Sequence, residues 1–367
     1  MQVKLLDLQA QYGPLRQEIR RVIDQLCDAQ SFILGPAVES FERALARYCQ
    51  TKHAIGMSSG TDALLCALMA LNLGPGDEVL CPTFTFFATA GSVARLGARP
   101  VFVDIEPDTF NIDVRQAEAR ITPRTKAIIP VHLFGQMANM EAINALARQH
   151  QLAVIEDAAQ AIGARRHGVS ACASGLCGAL SFFPSKNLGG FGDGGAICTN
   201  DDDFAARCRL LRTHGESPRY HHKLVGANFR LDALQAAVLE VKLKYLHGWH
   251  EGRRRNAALY DKMFAGTAVQ APRIDPANWS VYNQYCVLVP QRDQVKDRLA
   301  ERGVGTAVYY PVPLHLQECF AYVGGKAGDL PVSENAARQI LALPIYPELT
   351  TQQVEYVAQQ VLEAVKA

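Results

Sequence analysis

The sequence predicts an α/β fold, with a mostly parallel or mixed central sheet flanked by helices and a smaller C-terminal α+β domain. Three observations carry this. Short runs rich in Val, Ile and Phe alternate with stretches of helical periodicity from His53 to about Asn200, the pattern of βαβ units around a sheet buried on both faces. No internal repeat or low-complexity linker interrupts them. After Asn200 the pattern becomes a long polar segment, a long helix, and a mixture of short strands and helices, which reads as a separate small unit. The expected division is 1–245 for an N-terminal arm and large domain, and 246–367 for the small domain.

The elements follow in order. After a short arm, "LRQEIRRVIDQLCDAQ" from Leu15 has helical periodicity. "HAIGM" from His53 and "EVLCP" from Glu78 read as strands, followed by the helices "GTDALLCALMALNLG" and "TFFATAGSVARLG". "RPVFVDI" from Arg99 and "KAIIPVHLF" from Lys126 are the next strands, followed by "VRQAEARI" and "NMEAINALARQH". "LAVIED" from Leu152, "GALSFF" from Gly178 and "GGAICTN" from Gly194 complete the series. "HGESPRYHHKLVGANFR" from His214 is polar and punctuated by Gly and Pro, so it reads as a loop. A helix is expected from about Asp232 to about Phe264, interrupted near Gly248. Then "YNQYCVLV" reads as a strand, "RDQVKDRLAERG" as a helix and "TAVYYP" as a strand, with last helices from about Ser333 and Thr350.

Composition excludes several function classes. The chain has 367 residues, 49% hydrophobic and 20% charged, with a formal net charge of +1. No basic excess points to nucleic acid or an anionic membrane. The N-terminus lacks a signal-peptide layout, and no stretch has the length and apolarity of a membrane span. The ten cysteines are scattered without a CxxC pair, which argues against a disulfide framework or a zinc site and for a reducing, cytoplasmic setting.

Four stretches could carry chemistry. Lys186 follows the apolar "SFFPS" and precedes the glycine cluster "NLGGFGDGG". A buried, unpaired ammonium is costly, so such a lysine either reaches water or is kept for chemistry. Asp157 ends "LAVIED", and neighbouring strand ends would bring it to the same sheet edge; an N-cap or a solvated acidic pair is the plain alternative for Glu156 and Asp157. "SSGTDAL" from Ser58 is a turn running into a helix, either an anion site built on free backbone N–H groups or simple capping by Ser59 or Thr61. "PTFTFFATA" from Pro82 offers Phe84, Phe86 and Phe87, as core packing or as a ring stacked on a flat ligand. Gly190, Gly192 and Gly195 satisfy G-x-G-x-x-G, but they precede a strand instead of opening a helix, which argues against a dinucleotide site. A tight turn with backbone close to a ligand is the better reading.

An anion cradle, a stacking ring, a strand-end carboxylate and a lysine are the four parts that pyridoxal 5′-phosphate (PLP) needs. The carboxylate keeps the pyridine nitrogen protonated, and the lysine bonds the cofactor and moves the proton.

On these residues, with "FILGPAVESFE", "PGDEVLCPTFTF", "VIEDAAQAIGA", "SFFPSKNLGGFGDGGAI", "GANFRLDALQAAVL" and "LPIYPEL", the sequence resembles the nucleotide-sugar aminotransferases of PLP fold type I, the DegT/StrS family. The likeness spans essentially the whole chain and looks nearest to the 3-keto sugar-nucleotide enzymes. It implies an aspartate-aminotransferase-like fold. It also implies that Lys186 forms the Schiff base and shuttles the proton, that Asp157 pairs with the pyridinium nitrogen, and that Gln160 bonds near the ring hydroxyl. Phe86 would stack on the ring. Gly60, Thr61 and Ser181 would hold the phosphate. Asn228 would reach the phosphate in the neighbouring subunit, making a homodimer with shared active sites, and Arg230 would approach that neighbour's substrate. Asp62 would serve the helix dipole and Glu156 the structure, with Phe84 and Phe87 in the core. His221, His222 and Lys223 would be either a solvated loop or a contact to the diphosphate.

One stretch departs from the family pattern. Where "HYP" would be expected, this chain reads "VYYPVPLH", with Tyr309 at the histidine position. Tyrosine carries no positive charge, so a uronic-acid substrate is less secure; Tyr309 and Tyr310 remain candidates for the substrate pocket. The resemblance implies transfer of an amino group from L-glutamate, leaving 2-oxoglutarate and the pyridoxamine (PMP) form, to a keto group of a nucleotide-linked sugar, at C3 in preference to C4. The product would enter surface polysaccharide or glycosylated-metabolite biosynthesis. A PLP- or PMP-dependent sugar dehydratase on the same fold, and a non-catalytic regulatory binder, are the rival readings.

Overall fold

The computed structural model describes residues 1–366. The strands are β1 (His53–Met57), β2 (Glu78–Pro82), β3 (Arg99–Val103), β4 (Thr125–Ile128), β5 (Ala153–Asp157), β6 (Arg165–Arg166), β7 (Val169–Ser170), β8 (Cys177–Ser181), β9 (Gly195–Thr199), β10 (Asn278–Trp279), β11 (Tyr285–Leu288) and β12 (Ile340–Leu343). The helices are α1 (Leu8–Ala29), α2 (Pro36–Tyr48), α3 (Gly60–Ala70), α4 (Ala88–Arg95), α5 (Val114–Glu118), α6 (Met140–His150), α7 (Asp202–Arg212), α8 (Ala233–Leu243), α9 (Leu246–Phe264), α10 (Arg292–Glu301), α11 (Pro331–Gln339) and α12 (Thr351–Lys366).

Seven strands form the central sheet in the order β1-β9-β8-β5-β4-β2-β3. Six are mutually parallel, and β9 alone runs against its neighbours β1 and β8. Side chains alternate between the two faces, as strand geometry requires. Ala54, Leu80, Val103, Ile128, Val154 and Leu180 meet α2, α6 and α8 in one buried cluster. Ile55, Val79, Phe102, Ala127, Ile155 and Ala179 meet α3, α4 and α7 in the other. Burial on both faces explains why these strands read as apolar runs without polar alternation.

The small sheet pairs β11 with β12, and β6, β7 and β10 make a short ribbon. Residues of α9, α10 and α12 pack on β11 and β12 in a third cluster, which Val3 of the N-terminal arm joins by pairing with Val304. A fourth cluster is shared between the units: Phe84, Phe110 and Phe134 meet Cys286, Leu288 and Ile340. Among the described residues, no helix is long and apolar enough to cross a membrane. None of the ten cysteines is paired.

Several boundaries differ from the sequence expectation. α1 begins at Leu8, because Asp7 caps it by accepting from Gln9 and Ala10 N–H at 3.0 and 3.2 Å, and Tyr12 packs edge-on against Phe191. The expected break near Gly248 falls instead at Lys244 and Tyr245, where both side chains grip Glu18 of α1, at 2.8 and 3.0 Å. Gly248 lies inside α9, exposed, with open space where a side chain would be. "TAVYYP" is not a strand. Ala307 makes one antiparallel bridge to Ala342, after which the segment turns so that the Tyr310 hydroxyl meets Gln160. β11 starts at Tyr285, since Tyr282 takes a left-handed conformation.

The buried guanidinium of Arg253 ties α9 to the chain before β11 and after β12, one nitrogen lying within hydrogen-bond reach of the carbonyls of Tyr282, Asn283 and Ile345 at 3.1, 3.3 and 2.7 Å. Burial pulls its pKa down to about 10, so it stays charged near neutrality. Replacing it by methionine keeps volume but strands the carbonyls. Arg253→Met should cost about 3 kcal/mol, read as a lower urea midpoint; an unchanged midpoint would contradict this role.

Candidate active site

The carboxyl edge of the sheet gathers the candidates. Met57 pairs with Gly195, and Ser181 pairs with Gly195 from the other side, so the ends of β1 and β8 flank the first residue of β9. The chain leaves β8 at Ser181, makes a loop carrying Lys186, and returns at Gly195; the Phe182 N–H donates to the Gly194 carbonyl at 2.7 Å and closes the loop's base. Asp157 ends β5, directly beside β8.

The turn at 58–60 is drawn tight by Asp62. Its carboxylate accepts from the hydroxyls of Ser58 and Ser59 at 2.7 and 2.9 Å, while Ser59 caps α3 by accepting from the Asp62 N–H at 3.0 Å. The Gly60 and Thr61 amides of the first turn have no intrahelical acceptor, so with the positive end of α3 they can receive an anion. A Cβ on Gly60 would fall 2.8 Å from the Ser181 Cβ, so this turn and Ser181 touch. A Cβ on Gly195 would fall 2.6 Å from the Gly60 nitrogen. Gly190 and Gly192 are crowded by the Gln235 side chain at 2.8 and 3.0 Å, and none of these three takes a left-handed φ. The glycine cluster therefore answers to close approach by protein atoms, where the sequence suggested close approach to a ligand.

Lys186 is partly exposed on its loop, and burial of its amine lowers its pKa to about 8 against the opposing charge of Asp157. Asp157 is buried. Desolvation raises its pKa, opposed first by the Thr89 hydroxyl, which donates to Oδ2 at 2.8 Å, and then by the Ala159 N–H, which donates to Oδ1 at 3.2 Å. Gln160 accepts from the Phe134 N–H at 2.7 Å and donates to the Tyr310 hydroxyl at 3.1 Å. Burial raises the Tyr310 pKa, keeping it a neutral phenol. Phe86 stands 55% exposed, its ring 6.3 Å from that of Tyr310, so one face is free to stack.

Phe84 is buried, as expected, but Phe87 is not core: it is half exposed, lying 5.5 Å from the Phe320 ring. Glu156 is structural, its oxygens accepting from His132 Nε2 at 2.8 Å and from the N–H groups of Cys172, Ser174 and Gly175. Tyr309 is half buried, 5.8 Å from Tyr310. His221, His222 and Lys223 are exposed, with His222 Nδ1 donating to the His214 carbonyl at 3.0 Å.

Asn228 and Arg230 line a polar cleft of about 400 Å³ together with Ser58 of the 58–60 turn, Asp193 of the Lys186 loop and Asp232. The Asn228 side chain is exposed, and the Arg230 Nε is buried without a partner.

Sequence reasoning missed the residues that hold the others in place. Thr89 lies one helical turn beyond Phe86, and that spacing is its signal. The Lys186 loop is clamped at three points: Asn187 by Asn283 at 2.8 Å, the Phe191 N–H by Gln235 at 2.7 Å, and the Gly189 carbonyl by the Lys242 ammonium. These contacts span long sequence separations and leave no local pattern. Together, the site can hold a flat cationic ring against Phe86, its anionic tail at Gly60, and a reactive amine at Lys186.

A protein from Geobacillus stearothermophilus named pleiotropic regulatory protein is 51% identical, over 99% of this chain and 98% of its own length. A UDP-2-acetamido-2-deoxy-3-oxo-D-glucuronate aminotransferase from Pseudomonas aeruginosa is 45% identical, over 97% of this chain and 98% of its own. The crystal structure of Streptomyces venezuelae DesV in complex with a ketimine intermediate superposes with a TM-score of 0.97 at 42% identity, covering 100% of this chain and 99% of that one. The profile of the DegT/DnrJ/EryC1/StrS aminotransferase family matches residues 14–362. The match runs nearly end to end, and the chain belongs to the DegT/DnrJ/EryC1/StrS aminotransferase family.

Proposed function

We propose that the chain transfers an amino group from L-glutamate, through PLP and its PMP form, to the C3 keto group of a nucleotide-linked sugar. The observation that carries this reading is the desolvated Lys186 amine facing the buried Asp157 carboxylate beside the Gly60–Ser181 cradle. The named 3-oxo sugar aminotransferase supports the substrate class.

The residues present fit PLP. The crowded backbone at Gly60 and Gly195 leaves amides, not side chains, at the anion position, and Asp157 keeps lone pairs beyond those used by Thr89 and Ala159. When bound, PLP supplies a protonated ring that accepts the electron pair left at an amino acid's Cα. Lys186 Nζ would hold it covalently and, once displaced by glutamate, would take the proton from Cα and return it to the carbon on the far side of the shared nitrogen. Asp157 would hold the ring nitrogen's proton by accepting its hydrogen bond. Gln160 would meet the ring hydroxyl, and Phe86 would cover one face and exclude water. Gly60, Thr61 and Ser181 would bind the phosphate, completed by Asn228 of the partner subunit, a reading supported by the exposure of Asn228. Arg230 of the partner subunit, with its unpaired Nε, suits a substrate carboxylate. Tyr309 and Tyr310 would form the sugar-side wall. The ten unpaired cysteines suit a cytoplasmic enzyme.

A low amine pKa has a kinetic use. At pH 7 about a tenth of an amine with pKa near 8 is neutral and nucleophilic, against on the order of one in a few thousand for an unperturbed lysine. A lysine at 186 favours amino transfer over the rival dehydration, and the regulatory reading fails if glutamate converts the bound cofactor.

Three outcomes are expected. Purified protein should show the absorbance band of lysine-bound PLP and lose it in Lys186→Ala; an unchanged band sinks the cofactor assignment. Uptake of PLP by cofactor-free protein should speed up with pH and level off above about 8, since only the neutral amine reacts; a midpoint near that of free lysine would refute the desolvated amine. Mixing Lys186→Ala subunits with Asn228→Asp subunits should restore about a quarter of wild-type activity, because half of randomly paired dimers carry one intact shared site; no recovery would mean that the sites are not shared.

A further inference from the structure

We propose that Thr89 is a positioning residue that holds the Asp157 carboxylate ionised and aimed, through a hydroxyl chain beginning at Thr85. The inference rests on the cofactor reading given above and assigns one more residue to it.

Among the described residues, the Asp157 carboxylate accepts from two groups: the Thr89 hydroxyl at Oδ2, 2.8 Å, and the Ala159 N–H at Oδ1, 3.2 Å. Thr89 is thus its side-chain donor within the chain. A hydroxyl has one proton to give. With that proton on Asp157, the Thr89 oxygen is left to accept, and the Thr85 hydroxyl lies 3.2 Å away, buried and placed to donate. The sequence of donors is Thr85 to Thr89 to Asp157, all of them out of water.

The titratable groups around Asp157 are Lys186, His132 and Tyr310. Each acts through its charge or burial, and none hydrogen-bonds to the carboxylate. His132 is committed to Glu156, and Tyr310 to Gln160. Burial alone favours a protonated, neutral Asp157. In that form it would keep the proton that the ring nitrogen needs. A neutral donor such as Thr89 stabilises the ionised form without adding a competing charge, and leaves outer lone pairs for the ring.

The placement on α4 adds to this. Phe86 lies just before α4, Thr89 is in its first turn, and Ser92 donates to the Thr61 carbonyl at 3.4 Å. One short segment therefore presents the stacking ring, fixes the carboxylate and touches the anion turn.

The test compares wild type, Thr89→Val, Thr89→Ser and Thr85→Val, each loaded with PLP labelled with 15N at the ring nitrogen. Ring-nitrogen NMR between pH 6 and 9 reports whether that nitrogen is protonated. Wild type and Thr89→Ser should show the protonated signal. Thr89→Val should lose it in favour of the unprotonated form and slow the glutamate half-reaction about tenfold at saturating glutamate, the scale of one hydrogen bond to a charge. The half-saturating glutamate concentration should stay within about twofold, because Thr89 does not touch substrate. Thr85→Val, which keeps the donor but removes its support, should slow the step about threefold. If Thr89→Val does not fold, Thr85→Val and Thr89→Ser decide the matter: equal spectra and rates in Thr85→Val and wild type overturn the chain. A loaded wild type beside an unaltered Thr89→Val spectrum and rate overturns the proposal alone. A wild type that binds no PLP at Lys186 overturns the cofactor reading with it.

Discussion

The site hangs on one close contact, between Gly195 at the start of β9 and the Ser59–Gly60 turn at the start of α3. β9 reverses the direction of the sheet and enters it between β1 and β8. Its first residue must pass the turn with 2.6 Å between the Gly60 nitrogen and the place a side chain would occupy. Any side chain there pushes the turn from Ser181 and opens the base of the Lys186 loop, since that loop begins at Ser181 and ends at Gly195. Anion cradle and reactive amine are therefore not two sites that happen to be near. Both are anchored at the same end of one strand pairing, where Ser181 meets Gly195.

Two lysines show that burial alone does not make a reactive amine. The Lys242 side chain exposes less surface than that of Lys186, and desolvation likewise lowers its pKa to about 8. Its ammonium, however, is spent on the Gly189 carbonyl and lies 5.8 Å from the centre of the Phe191 ring. Lys186 instead faces Asp157 across the open edge of the sheet. The same cost of desolvation holds a loop in place at one position and keeps an amine partly neutral at the other. What separates them is whether the nitrogen is met by a fixed acceptor or by room for a ligand.

Much of this is legible in the sequence alone. Burial on both faces leaves an apolar signature on each strand, so the large sheet can be read strand by strand, and with it the edge that carries Asp157 and Lys186. The short strand β12 and the helices α2 and α7 leave a weaker mark, because their sequences are mixed and their partners lie far along the chain. The break after Leu243 has no local sign, since its cause is Glu18, 226 residues from Lys244. Asn228 and Arg230 pose the same difficulty in another form: one chain alone gives them a cleft but no ligand. Thr89 is marked only by its spacing from Phe86, within a stretch that reads by its aromatic rings, and Glu156 is visible as a carboxylate but not as the anchor of His132 and the 172–175 turn.

The Gln160–Tyr310 hydrogen bond joins two parts of the molecule under different constraints. Gln160 follows the sheet edge that carries Asp157, whereas Tyr310 arrives on a C-terminal segment bridged to β12 at Ala307. Among the described residues, 306–311 pairs with no strand of the large sheet, so it and the strand register beneath Asp157 and Lys186 are held by separate contacts. On the function proposed above, this separation makes Tyr309 a natural place to begin redesigning ligand preference, because a change there is relayed to the sheet edge through one hydrogen bond.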